Sequence, residues 1–199
     1  MKVLALIALL IIPLTQTLSA QHFDSAVAAN KRGDYRTAIK HLRPLAEKGL
    51  PEAQALLGAM YAHGRGVPPD PAEAIKWFRK GIAQDNHWAQ HNLGYMYSQG
   101  YGVPQNYFEA AKWFRKAAKQ GNADSQSNLG AMYLTGSGVP QDFELSYIWL
   151  SVAATNGAKF ALKNRNIVTM NLTKDQLKKA KTIFKRCLKK PARCPENIY

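Results

Sequence analysis

Cysteine is nearly absent: Cys187 and Cys194 are the only two in 199 residues. Two thiols with no histidine near them in sequence fall short of a structural zinc set, and their spacing is not the C-x-x-C of a redox pair. Acidic side chains are scarce as well, 13 Asp and Glu against 27 Lys and Arg, for a formal net charge of +14. No long apolar run occurs past Leu14, which excludes a multi-span membrane protein. No Gly-Lys-Ser/Thr phosphate loop is present, and Gly136-Ser137-Gly138 lacks the Gly-x-Ser-x-Gly of a nucleophile elbow. Disorder is excluded by what is plentiful: 46% hydrophobic residues, with four tryptophans and nine tyrosines.

The one apolar run sits at the start. Met1-Lys2 precedes Val3–Leu14, and a polar stretch leads to Leu18-Ser19-Ala20. A charged beginning, a short apolar core containing Pro13 and a small exit residue match a secretory signal peptide over 1–20, with cleavage expected after Ala20. No cysteine stands at the exit of the run, where Ala20 is followed by Gln21, so lipid attachment there is excluded. The expected location is periplasmic or secreted, with no membrane span after signal removal. An oxidising compartment favours pairing Cys187 with Cys194. Closing that loop contributes roughly 2.5 kcal/mol in the chain-entropy account.

The middle of the chain repeats itself every 36 residues. Leu57-Gly58-Ala59-Met60-Tyr61 returns at Leu93 and at Leu129, each time followed by Gly-x-Gly-Val-Pro and then by Trp77, Trp113 or Trp149. Residues 57–92 and 93–128 agree at 19 of 36 positions. Within a period two helices are expected. The first, near Pro51–His63, stops at paired glycines; the second opens at a cap, Asp70, Asn106 or Asp142. Gly58, Gly94 and Gly130 fall inside helices, where glycine costs about 1 kcal/mol against alanine, so close approach of a partner helix is expected. Thr173-x-x-Gln176 reads as a capping box for a last helix over roughly 174–189. The resulting division is a degenerate capping repeat over 21–56, repeats at 57–92, 93–128 and 129–157, and a basic capping region at 158–199.

The Leu-Gly-x-Met-Tyr-x-x-Gly-x-Gly-Val-Pro motif, followed by Glu-Ala-x-x-Trp, resembles the Sel-1-like repeats, relatives of the tetratricopeptide repeats. The resemblance implies an all-α, right-handed α/α superhelical solenoid of helix pairs, used for protein–protein adaptor work. A cysteine-rich, secreted branch of that family carries reports of penicillin binding. This chain lacks its per-repeat cysteines, so that activity is not carried over; an envelope enzyme acting on cell-wall material or β-lactams stands as the alternative.

Comparing the repeats with one another separates stack from surface. On the first helix of each repeat the shared positions cluster on one side, and the varying positions, Ala55 and Ala62 among them, cluster opposite. The resemblance turns that varying side toward the concave face. His63, His91, Asn92, Tyr95, Ser98, Gln99, Asn128 and Leu134 are therefore the expected contacts for a protein or peptide partner, with Tyr95 as the amphipathic anchor. His87 and His91 have a two-ligand spacing, but no third ligand is visible, and two polar histidines facing solvent are the better explanation. No catalytic residue, cofactor or metal site is expected. From Lys159 onward twelve basic residues stand against Asp175 and Glu196. That cluster suggests a third reading, an anion-binding module whose C-terminal basic helix meets an anionic envelope surface; nucleic acid does not fit the compartment.

Overall fold

A computed structural model describes residues 19–189 and Cys194. The expected signal segment lies outside the described residues, apart from Ser19 and Ala20, which begin a helix. Among the described residues there are ten helices and no strands. The chain divides into two compact units between Gln84 and Asp85.

The first unit holds α1 (19–31), α2 (Tyr35–Glu47), α3 (Pro51–His63) and α4 (Pro71–Ile82). Asp34 and Asp70 cap α2 and α4 by accepting the Thr37 and Glu73 amides at 3.2 and 2.9 Å, as the repeat's cap position requires. Ala26, Ala29, Leu42, Leu57, Met60 and Trp77 meet in its core.

The second unit holds α5 (His87–Gln99), α6 (Tyr107–Lys119), α7 (Ala123–Thr135), α8 (Phe143–Thr155), α9 (Ala161–Thr169) and α10 (Lys174–Lys189). Helix α8 is buried at every position from Glu144 to Ala153, so the polar side chains of Glu144, Ser146 and Ser151 are enclosed together with its apolar ones. It packs against α7, α9 and α10. The last helix begins with the expected reciprocal box: Thr173 N donates to Gln176 Oε1 at 2.9 Å, and Gln176 N to Thr173 Oγ1 at 3.3 Å. Cys187 and Cys194 are joined as a disulfide, Cα to Cα 5.0 Å.

Two features explain why the hairpins close tightly. A Cβ at Gly58 would lie 2.7 Å from Phe78 Cε1 and 3.1 Å from the Ala74 carbonyl oxygen; one at Gly130 would lie 2.7 Å from Leu150 Cγ. Glycine's cost to the helix is thus offset by an approach no larger residue permits. Buried glutamines then stitch the hairpins. Gln54 Nε2 donates to the Ala46 carbonyl at 3.0 Å and Gln126 Nε2 to the Ala118 carbonyl at 2.9 Å. Their own carbonyl oxygens accept from Gln84 and Asn156.

The hairpins run α3–α4, α5–α6 and α7–α8, so units drawn from Leu57, Leu93 and Leu129 start midway along a first helix. Sequence periodicity yields the length of a unit and leaves its starting point free. Asp85 is a departure from the repeat. It occupies the place of Gly49, Gly121 and Gly157 and shares their left-handed backbone, at φ 57°. Aspartate tolerates that region better than most residues. Here its carboxylate also accepts from Gln90 Nε2 at 2.6 Å and Gln120 Nε2 at 3.2 Å.

Candidate functional site

Helices α5, α6 and α7 enclose a cleft of about 220 Å³ within the second unit. Helix α5 contributes Tyr95, Ser98 and Gln99; α7 contributes Asn128, Ala131, Met132 and Thr135; α6 contributes Tyr107 and Phe114. Phe114 and Met132 are buried and form an apolar floor, while Tyr95 and Tyr107 stand 46% and 43% exposed at the sides. Periodicity explains the placement. Tyr95, Ser98 and Gln99 lie three and four residues apart on one face of α5, and Asn128, Ala131 and Thr135 do the same on α7.

The polar groups of the cleft are partly committed. Gln105 Nε2 donates to the Tyr107 hydroxyl at 3.0 Å and to the Ser98 carbonyl at 2.9 Å, which ties the α5–α6 turn to the rim. Ser98 Oγ donates to the Tyr95 carbonyl at 2.8 Å. The Thr135 and Ser137 hydroxyls pair at 2.8 Å. The Asn128 side-chain amide, with two donors and an acceptor, makes no hydrogen bond among the described residues. All lining residues are neutral. Recognition there would go through aromatic surface and amide hydrogen bonds.

Four of the residues expected from the sequence therefore share this cleft: Tyr95, Ser98, Gln99 and Asn128. The others are placed differently. Asn92 donates back to the Trp88 carbonyl at 2.9 Å, and Leu134 packs against the second unit's core. His63 is exposed at the last residue of α3, in the first unit. Partial burial and the neighbouring Arg65 guanidinium hold its imidazole below the ordinary value. Ala55 and Ala62, on the varying side of α3, are buried. Tyr107 and Phe114 were not expected. Both lie on the repeat's second helix, whereas the varying positions that single out Tyr95 and Asn128 lie on the first.

His91 is inside the packing of α5 on its neighbours. Its Nδ1 lies 2.8 Å from Ser125 Oγ, and its ring centroid is 5.6 Å from that of Phe114. Burial pushes the imidazole below its ordinary value of 6.5; the Asp124 carboxylate opposes that shift and His87 adds to it. A histidine neutral in the fold and freer to charge when unfolded contributes stability that is complete above about pH 6.5 and lost as pH falls through the folded-state value. Urea midpoints from about pH 7.5 to about pH 5 should fall more steeply for the native chain than for His91→Gln. Parallel profiles would show that His91 carries no such load.

A chain of tandem helix hairpins, closed by left-handed glycines such as Gly64, Gly100 and Gly136 and stitched by buried glutamines, is an all-α repeat protein. The Sel1 repeat model matches residues 30–50, 51–86, 89–122 and 123–157, and the chain belongs to the Sel1 repeat family. Among solved structures it is similar to a protective antigen present in uropathogenic Escherichia coli strains displaying an SLR fold. Identity is 35% and the TM-score 0.78, over 90% of this chain and 39% of that one. It is similar also to a Sel1 repeat protein from Oxalobacter formigenes, at 31% identity and TM-score 0.66, over 73% of this chain and 60% of that one. The chain thus spans less than two thirds of either neighbour's length. No curated protein matches it. The Sel1-repeat fold is consistent with a protein-interaction scaffold, and proteins of this fold are generally non-catalytic.

Proposed function

We propose that this protein is an exported adaptor that holds a neutral, extended segment of a protein partner in the cleft between α5, α6 and α7. The observation that carries the reading is the cleft itself: two half-exposed tyrosines over an apolar floor, beside the unpaired amide of Asn128. Tyrosine supplies large contact area with little rotamer entropy to lose. A carboxamide matches the donor and acceptor of a peptide group. The uncharged lining favours a segment that brings no charge of its own, since a buried unpaired charge would be costly.

The test is capture of envelope proteins on the purified chain, followed by affinity measurement on the captured partner. Tyr95→Ala is expected to weaken that affinity about tenfold or more, and Asn128→Ala to weaken it further in combination. Thermal midpoints of both variants should stay near the native value, because neither side chain is buried. A partner held equally by the native chain and the double variant would place the contact elsewhere. Export is tested separately: the mature chain should be recovered outside the cytoplasm with Gln21 at its N-terminus, and a mature chain beginning at Met1 would defeat that part of the reading.

A further inference from the structure

Helix α10 carries more exposed charge of one sign than its packing requires. At about 100° per residue, Lys174, Lys178, Lys181 and Lys185 fall within an arc of about 60°, and all four are exposed. They form no ion pair among the described residues, whereas Lys179, on another side of the helix, lies 3.3 Å from the Glu144 carboxylate. Lysines four apart repel one another along a helix, and this row contains two such pairs, Lys174 with Lys178 and Lys181 with Lys185. Ala180 and Cys187 are buried on the opposite side, so the row points away from the protein.

The row is bordered by apolar side chains. Leu177 and Leu188 lie along one edge of the same arc; Leu177 is half-buried against the second unit's core, and Leu188 is 43% exposed. Met170, just ahead of the helix, is 86% exposed. Leu177 also lines a shallow cleft of about 390 Å³ whose rim is made of the four lysines. Exposed apolar groups gain nothing from a soluble polyanion. They do gain at a surface where phosphate charge and hydrocarbon meet, and lysine stems can lie along the hydrocarbon while their ammonium groups reach the phosphates.

We infer that the lysine row of α10, bordered by Leu177 and Leu188, is a docking face for an anionic phospholipid bilayer. The chain lies on that surface through α10 and does not span it; no described helix is long and apolar enough to cross a membrane. The attraction is the summed charge of the row, which salt screens. An adsorbed α10 also relieves the repulsion between its lysines. This inference stands independently of the cleft and of what the cleft binds.

The experiment is co-sedimentation of the full chain with phosphatidylcholine vesicles that either contain phosphatidylglycerol or lack it. The apolar segment 3–14 is present in every variant, and the neutral vesicles measure its contribution. The native chain should partition onto the anionic vesicles in excess of the neutral ones, and high salt should abolish the excess. Changing Lys174, Lys178, Lys181 and Lys185 together to Gln should reduce the excess by about three orders of magnitude. Changing the same four to Arg should preserve it, with circular dichroism confirming the native helix content in both variants. Equal partition on both vesicles, or an excess unchanged in the Gln variant, overturns the inference. So does displacement from anionic vesicles by inorganic polyphosphate in amounts that only match the lipid phosphate, which would make a soluble polyanion the better occupant.

Discussion

Trp149→Ala should destabilise the second unit by about 3–5 kcal/mol, whereas Trp113→Ala, at the same position of the preceding repeat, should cost only about 1 kcal/mol. The two tryptophans have the same place in the motif and different surroundings. Trp149 lies on α8, fully buried, in a core that draws on α7, α9 and α10. Trp113 is half-buried on α6, with the ammonium groups of Lys112 and Lys116 at 5.8 and 4.9 Å from its ring centroid. Removing Trp149 leaves a cavity walled by helices that cannot all collapse; removing Trp113 opens a surface that water refills. Trp149 Nε1 makes no hydrogen bond among the described residues, so Trp149→Phe should cost less than Trp149→Ala. Because the chain has two compact units, the change is best read from hydrogen exchange of α7 and α8 amides. Equal losses in the Trp113 and Trp149 alanine variants would mean that repeat position, and not the packing around it, sets the energy.

That pair of tryptophans marks how far the sequence carries. Features determined within a few residues were legible: the bounds of α3, the caps at Asp70 and Asn106, the box that starts α10. The helical glycines were legible for a different reason, since a residue that costs its own helix and still recurs must be answering to a neighbour. Helix α9 was not legible. Only Ala161 and Val168 of its nine residues are buried, so no apolar stripe announces it, and its place depends on α8. In the candidate cleft, helical spacing brought Tyr95, Ser98, Gln99 and Asn128 to one side. It could not show that His91 is engaged by Ser125, since that contact joins residues 34 apart. It could not show the apolar floor either, because Phe114 belongs to the stripe that also packs the repeat.

Lys179→Met should cost more stability than the double change Glu144→Leu with Lys179→Met, even though the double variant removes more charge. Glu144 is 5% exposed on α8, and its Oε2 atom makes no hydrogen bond among the described residues; the Lys179 ammonium, 3.3 Å away, provides its compensation. Taking the ammonium away leaves a carboxylate in an apolar setting, with an expected loss of about 1–3 kcal/mol. The figure lies below that of a fully enclosed pair because Lys179 is 45% exposed and water already screens it. With both groups apolar, the desolvation penalty disappears along with the attraction. The pair's contribution is therefore chiefly to position: a carboxylate inside the unit accepts only the one side of α10 that brings an ammonium to it. That choice turns Lys174, Lys178, Lys181 and Lys185 outward. In Lys179→Met, amides of α10 should lose protection from hydrogen exchange while those of α6 keep theirs, and the double variant should recover part of it. Uniform loss across the second unit would show that the pair supports the whole core and does not specifically seat the basic helix.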